Sequence, residues 1–120
     1  MLRLLPAPAD HILAFRIDGN VSQEEMHTVL ESLKAKQAKY SRVSVYEEIV
    51  TLGGIEFRSI IEKLKMMHDV GLSGINKLAL VTDKQWVKTL AELEDKLLRD
   101  TAIKHFTLED KAQAMAFLND

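Results

Sequence analysis

The sequence predicts an α/β domain: a mostly parallel β-sheet with an antiparallel N-terminal strand, its elements in the order ββαβαβαβα. Two observations predict it. Short β-branched or apolar runs alternate with longer segments whose apolar residues recur at helical spacing, which is the pattern of βαβ units. The first two strands have no helix between them, so they join antiparallel, and the later strands return in parallel through right-handed crossovers. Residues 1–120 fit a single domain of ordinary size with a continuous core.

Leu2–Leu5 and His11–Asp18 read as strands on either side of the turn-rich Pro6-Ala7-Pro8-Ala9-Asp10. The nearly continuous apolar run Ile12-Leu13-Ala14-Phe15-Arg16-Ile17 is that of a strand covered on both faces. Asp18-Gly19-Asn20 ends it. From Gln23 to Lys39, Met26, Val29, Leu30 and Leu33 form a helical stripe, with Glu24, Glu31, Lys34 and Lys36 on the other face. Ser22 and Glu25 have the spacing of a capping box, and Val21 and Met26 that of a hydrophobic staple.

Arg42–Ile49 is β-branched and aromatic enough for a strand. Ile55–Val70 is helical through Phe57, Ile60, Ile61, Leu64 and Met67, with Gly71 and Gly74 at its end. Lys77–Thr82 carries the buried-strand run Leu78-Ala79-Leu80-Val81. Lys84–Leu98 is an amphipathic helix through Trp86, Val87, Leu90, Leu93 and Leu97, opened by a capping box from Thr82 to Gln85. Ala102–Phe106 is a last strand and Leu108–Leu118 a last helix, with a weaker box at Thr107–Asp110.

Composition removes several function classes. The formal charge of −2, without a basic stripe, supplies no field for nucleic acid. The absence of cysteine excludes disulfides, thiol nucleophiles and Cys-ligated metals. His11, His27, His68 and His105 fall on different elements without ligand spacing, so no metal site is expected, and no cofactor motif is present. The apolar N-terminal run is broken by Pro6 and Pro8, and no segment reaches the ~20 apolar residues that span a bilayer. The expectation is a cytoplasmic, bacterial-style protein, with any membrane contact peripheral at the inner surface.

One helix start differs from the others. Thr51-Leu52-Gly53-Gly54 offers glycine in place of a capping side chain, leaving first-turn N–H groups free for an anion. The spacing is that of neither phosphate-binding glycine motif, and Glu56 already brings negative charge to the first turn. Gly53-Gly54 is therefore read as a hinge. Leu52, Ile55 and Phe57 flank it, and Trp86 and Val87 open the next helix. Helices of parallel units start at one end of the sheet, so these residues are candidates for the lips of an apolar pocket. They are equally candidates for a patch dipping into a bilayer, with Arg58, Lys84 and Lys88 at its rim. Core packing is the competing assignment for Phe57 and Trp86.

The polar candidates are Glu48, Thr82 and Asp83, with Asp18 and Glu47 beside them, at the carboxyl ends of strands where open α/β sheets bind ligands. No histidine, serine or metal partner accompanies these acids, so solvated helix-start acids are expected and a catalytic pair is not.

Ile12-Leu13-Ala14-Phe15 leading to Gly19-Asn20-Val21 and a Glu-rich first helix, Arg42–Glu48, Val81-Thr82-Asp83-Lys84-Gln85-Trp86 and the closing Phe106–Leu118 together resemble the SpoIIAA-like family, related in fold to STAS domains. The resemblance implies a parallel sheet with helices mainly on one side, and a role without catalysis: ligand binding, peripheral membrane association or protein contact. STAS-type anti-sigma-factor antagonists carry a phosphorylatable Asp-Ser-Ser-Gly at the equivalent helix start. Thr51-Leu52-Gly53-Gly54 stands there, and the serine is absent. The expected function is a noncatalytic module binding a small apolar ligand or lipid, or touching a membrane. The alternative is a STAS-like regulatory protein-interaction domain without the serine, and a small hydrolase ranks third. Met66 and Met67 on an exposed helix face would serve a homodimer as readily as a core.

Overall fold

A computed structural model describes residues 1–52, 75–83 and 101–119. Five strands form one sheet in the spatial order β1-β2-β3-β4-β5: β1 (Leu2–Leu5), β2 (Ile12–Gly19), β3 (Val43–Leu52), β4 (Ile75–Thr82) and β5 (Ala102–Phe106). β1 runs antiparallel to β2, and every other pair is parallel. Helix α1 (Gln23–Lys39) follows β2, and a 3₁₀ turn (Leu108–Asp110) leads into helix α2 (Lys111–Asn119). The α/β class and the antiparallel first strand are those the sequence predicts. The helices expected over Ile55–Val70 and Lys84–Leu98 lie outside the described residues.

α1 has the bounds that its periodicity predicts, and its start is closed by the expected capping box. Glu25 N donates to Ser22 Oγ at 3.1 Å and Ser22 N donates to Glu25 Oε1 at 3.0 Å. The second Glu25 oxygen accepts from Leu2 N at 2.7 Å, so the cap also anchors the start of β1. The backbone bonds from Ser22 and Leu2 hold the Glu25 carboxyl below the usual range.

β3 runs past the expected end at Ile49 because pairing with β2 continues beyond a bulge at Ile17/Asp18. Asp18 pairs with Thr51, and Thr51 Oγ1 donates to Asp18 Oδ1 at 2.7 Å while accepting from Gly19 N at 2.7 Å. Gly19 closes β2 at a φ of +75°, a region that glycine enters without steric cost. Thr51-Leu52 is thus strand, not helix start.

The box expected at Thr107 is not formed. Thr107 Oγ1 donates to Asp110 Oδ2 at 3.1 Å and Asp110 N bonds the Thr107 carbonyl at 3.0 Å, so the hydroxyl caps no N–H and the chain enters α2 through a 3₁₀ turn. The Thr82 hydroxyl donates to Ile49 O at 2.9 Å. The helix it was expected to cap lies outside the described residues.

Alternation along β2, β3 and β4 gives the sheet an apolar surface on each side. Leu13, Ile17, Val45, Ile49, Leu78 and Leu80 pack with Met26, Val29 and Leu33 of α1. Ile12, Ala14, Tyr46, Ala79, Val81 and Phe106 pack with Ala114 and Leu118 of α2. The two described helices therefore lie on opposite faces, whereas the family resemblance implies helices mainly on one side. Strands apolar on both faces need a cover on both.

Candidate functional site

The most deeply placed charge among the described residues is Glu48, 2% exposed. It sits on β3, where the period of two puts Ser44, Tyr46 and Glu48 on the α2 face of the sheet. β2 brings Arg16 beside it, since Arg16 and Glu48 are register partners. α2 brings Lys111, its first residue.

Tyr46 Oη donates to Glu48 Oε1 at 2.6 Å. Arg16 Nε lies 3.1 Å and Lys111 Nζ 3.5 Å from Oε2. The Arg16 contact has the distance of an ion pair, but Nε is buried without a hydrogen-bond partner. Its N–H is not aimed at the oxygen, so the attraction is Coulombic. Burial, and then the bond to Glu48, push the Tyr46 hydroxyl well above its usual range: its proton is held in the folded state.

Both Glu48 oxygens are engaged, Oε1 by Tyr46 and Oε2 by the two cations. What this arrangement does is join three elements, β2, β3 and α2, through one buried acid. The two cations keep 32% and 49% of their side chains exposed, so neither is fully desolvated.

A second polar cluster ties the β1–β2 hairpin to the end of α1. Asp10 Oδ2 accepts from Tyr40 Oη at 2.6 Å and Lys39 Nζ at 2.9 Å, and the Asp10 carbonyl accepts from Lys36 Nζ at 2.6 Å. The Tyr40 hydrogen bond first, and Lys39 next, drive the Asp10 carboxyl far below the usual carboxylate range. Beside it opens a cleft of about 450 Å³ along Leu4, Leu5, Pro8, Ile12, Leu13 and Lys36. A broader groove of about 650 Å³ runs between β5 and α2. Phe106 and Phe117 pack there with ring centroids 5.9 Å apart, and Lys104 Nζ lies 5.4 and 5.8 Å from those centroids.

Of the polar residues singled out in the sequence, Glu48 lies in the buried cluster. Thr82 is fully buried, but it pairs with Ile49 while Glu48 pairs with Val81, so Thr82 and Glu48 point to opposite faces of the sheet. They do not share a pocket. Asp83 follows Thr82 and is exposed. His105 Nε2 lies 3.2 Å from the Thr82 carbonyl. Leu52 is the last residue of β3. Gly53, Gly54, Ile55, Phe57, Trp86 and Val87 lie outside the described residues. Among the described residues no group of three or more His, Asp or Glu is placed to hold a metal ion, and no helix is long and apolar enough to cross a membrane.

Arg16, Tyr46 and Lys111 were not among the residues expected at the site. The available signals were a lone arginine inside an apolar strand run and the same-face spacing Tyr46-x-Glu48. Nothing in the sequence places Lys111 near either.

A mixed sheet of this order, with one antiparallel edge, is that of a STAS-like α/β fold. The model of the SpoIIAA-like family matches residues 12–119, from β2 through α2, and the chain belongs to that family. No curated protein and no solved structure gives a significant match.

Proposed function

We propose that the chain is a STAS-like regulatory module that acts by contacting another protein and turns over no substrate. Its membership of the SpoIIAA-like family over residues 12–119 carries the reading. Two features support it. The buried acid Glu48 is matched by Arg16, Lys111 and Tyr46, an arrangement suited to holding α2 on the sheet. Thr51, where STAS-type antagonists keep their phosphorylatable motif, is a strand residue whose hydroxyl joins β3 to Asp18 and Gly19 of β2. Contact with the partner is accordingly independent of phosphorylation at that position.

The test is affinity capture with the whole chain from a lysate of its source cells, with and without phosphatase treatment, beside sedimentation with anionic vesicles. The reading predicts a defined protein complex, unchanged by phosphatase and by Thr51→Val, and a chain that stays in the supernatant with vesicles. Sedimentation with vesicles, or a bound apolar small molecule in place of a protein, would move the function to the apolar surface expected around Leu52, Phe57 and Trp86.

A further inference from the structure

β1 lies at the edge of the sheet and pairs with β2. Met1 and Leu4, at 56% and 43%, are the exposed large apolar residues among the described residues. Two contacts fix which backbone groups face outward. The Met1 carbonyl accepts from Asp18 N, so Met1, Arg3 and Leu5 turn their backbone groups toward β2. Leu2 N donates away from the sheet to Glu25 Oε2, so Leu2 and Leu4 turn theirs outward. Glu25 satisfies the Leu2 N–H. Among the described residues the N–H and C=O of Leu4 have no partner.

The charge on this strand is equally incomplete. Arg3 lies directly opposite Arg16 on the α2 face of the sheet, and like charges so placed destabilise a strand pair. Arg16 lies against Glu48. Arg3 has no acidic partner among the described residues.

We propose that the edge of β1 is a strand-addition site for an extended segment of a partner protein whose side chains alternate apolar, acidic, apolar. The acid lies opposite Arg3 and relieves its repulsion with Arg16. The apolar residue on one side of the acid lies opposite Leu4 on the α1 face, and Leu4 exchanges the main-chain hydrogen bonds with the added strand; on the other side Leu2 is buried and Glu25 holds its N–H, so the added strand gains no main-chain bond there. The cleft of about 450 Å³ that begins at Leu4 and Leu5 continues this surface past the end of β1. Charge complementarity selects a partner segment over a second copy of this chain. Residues 1–5 contain no acid, and self-pairing sets Arg3 against another Arg3 or an apolar side chain. The proposal rests on the protein-partner reading above and names the chemistry of the partner.

The experiment titrates the isotope-labelled full chain with the blocked heptapeptide Thr-Thr-Val-Glu-Val-Thr-Thr, and with the same peptide carrying Lys for Glu, following backbone amide shifts. The Glu peptide is expected to shift the amides of β1, Leu4 foremost, and to bind about tenfold more tightly than the Lys peptide, because it gains an attraction to Arg3 where the Lys peptide meets a repulsion. Arg3→Glu, a change at an exposed side chain, is expected to reverse the preference. Equal binding of both peptides, shifts confined to other elements, or no binding would overturn the proposal. So would self-association of Arg3→Leu without peptide binding, which would make Arg3 a guard of the edge. Undiminished capture of a cellular partner by Arg3→Glu would remove β1 as its site and leave the protein-partner reading standing. Capture of nothing by either form would remove that reading itself.

Discussion

Replacing Glu48 tests whether its buried carboxylate holds α2 to the sheet. Glu48→Gln keeps the shape and an acceptor for Tyr46 but removes the charge that faces Arg16 and Lys111. A hydrogen bond to a charged group is worth ~1.5–3 kcal/mol, and breaking a fully buried ion pair costs ~3–5 kcal/mol. The upper range does not apply, because Arg16 and Lys111 keep 32% and 49% of their side chains exposed and turn to water when the acid is lost. The expected cost of Glu48→Gln is about 2 kcal/mol. Glu48→Leu also strands the buried Tyr46 hydroxyl, adding ~1–3 kcal/mol. Pairing it with Tyr46→Phe removes that extra penalty, so the double mutant is less damaged than the two single costs summed, by ~1–3 kcal/mol. Urea unfolding at neutral pH reads this as a shift of midpoint at constant slope. A Gln variant within ~0.5 kcal/mol of the parent, or an additive cycle, would show that Glu48 does not hold α2 to the sheet.

Three further outcomes follow from the same contacts. The folded-state pKa of Tyr46 is raised above its ordinary 10.0, so its contribution to stability is complete below that pH and is lost as pH rises through the folded value; Tyr46→Phe should flatten that part of the alkaline loss in urea midpoints. Asp10 has the opposite sign: its folded-state pKa lies below the ordinary 3.8, so its contribution is present above that value and disappears as pH falls further, and Asp10→Asn should flatten the acid limb of a Tm–pH curve. Ser22→Ala removes the side-chain half of the α1 cap and leaves the Glu25 N–H without its acceptor, for an expected loss of about 1 kcal/mol by urea unfolding and faster exchange of the Glu25 amide.

Local pattern was enough where an element's own side chains decide it. The α1 stripe, its Ser22 cap and the bounds of β5 are visible in the sequence because spacing, capping chemistry and β-branching act over a few residues. Contacts set by another strand were not visible. β3 reaches Leu52 because the bulged end of β2 offers partners to Thr51 and Leu52, and β4 begins at Ile75, ahead of the expected Lys77, where it pairs with Val43. Glu48 could be singled out as an acid near a strand end. That it faces Arg16 and Lys111, and that Thr82 points the other way, depends on the registers of β3 with its two neighbours and on the face that α2 covers. Those are tertiary choices with no local signature. Thr107 shows the same limit at short range: its spacing suits a capping box, but its hydroxyl donates to the Asp110 carboxylate.

A regulatory module of the SpoIIAA-like family that works by contact carries a protein partner in its source cells. Native mass spectrometry of the chain purified from its source cells after phosphatase treatment measures that directly. The expected species is the chain bound to one defined polypeptide in fixed stoichiometry; the chain alone, or carrying only a lipid or other small molecule, would rule out a protein-contact role.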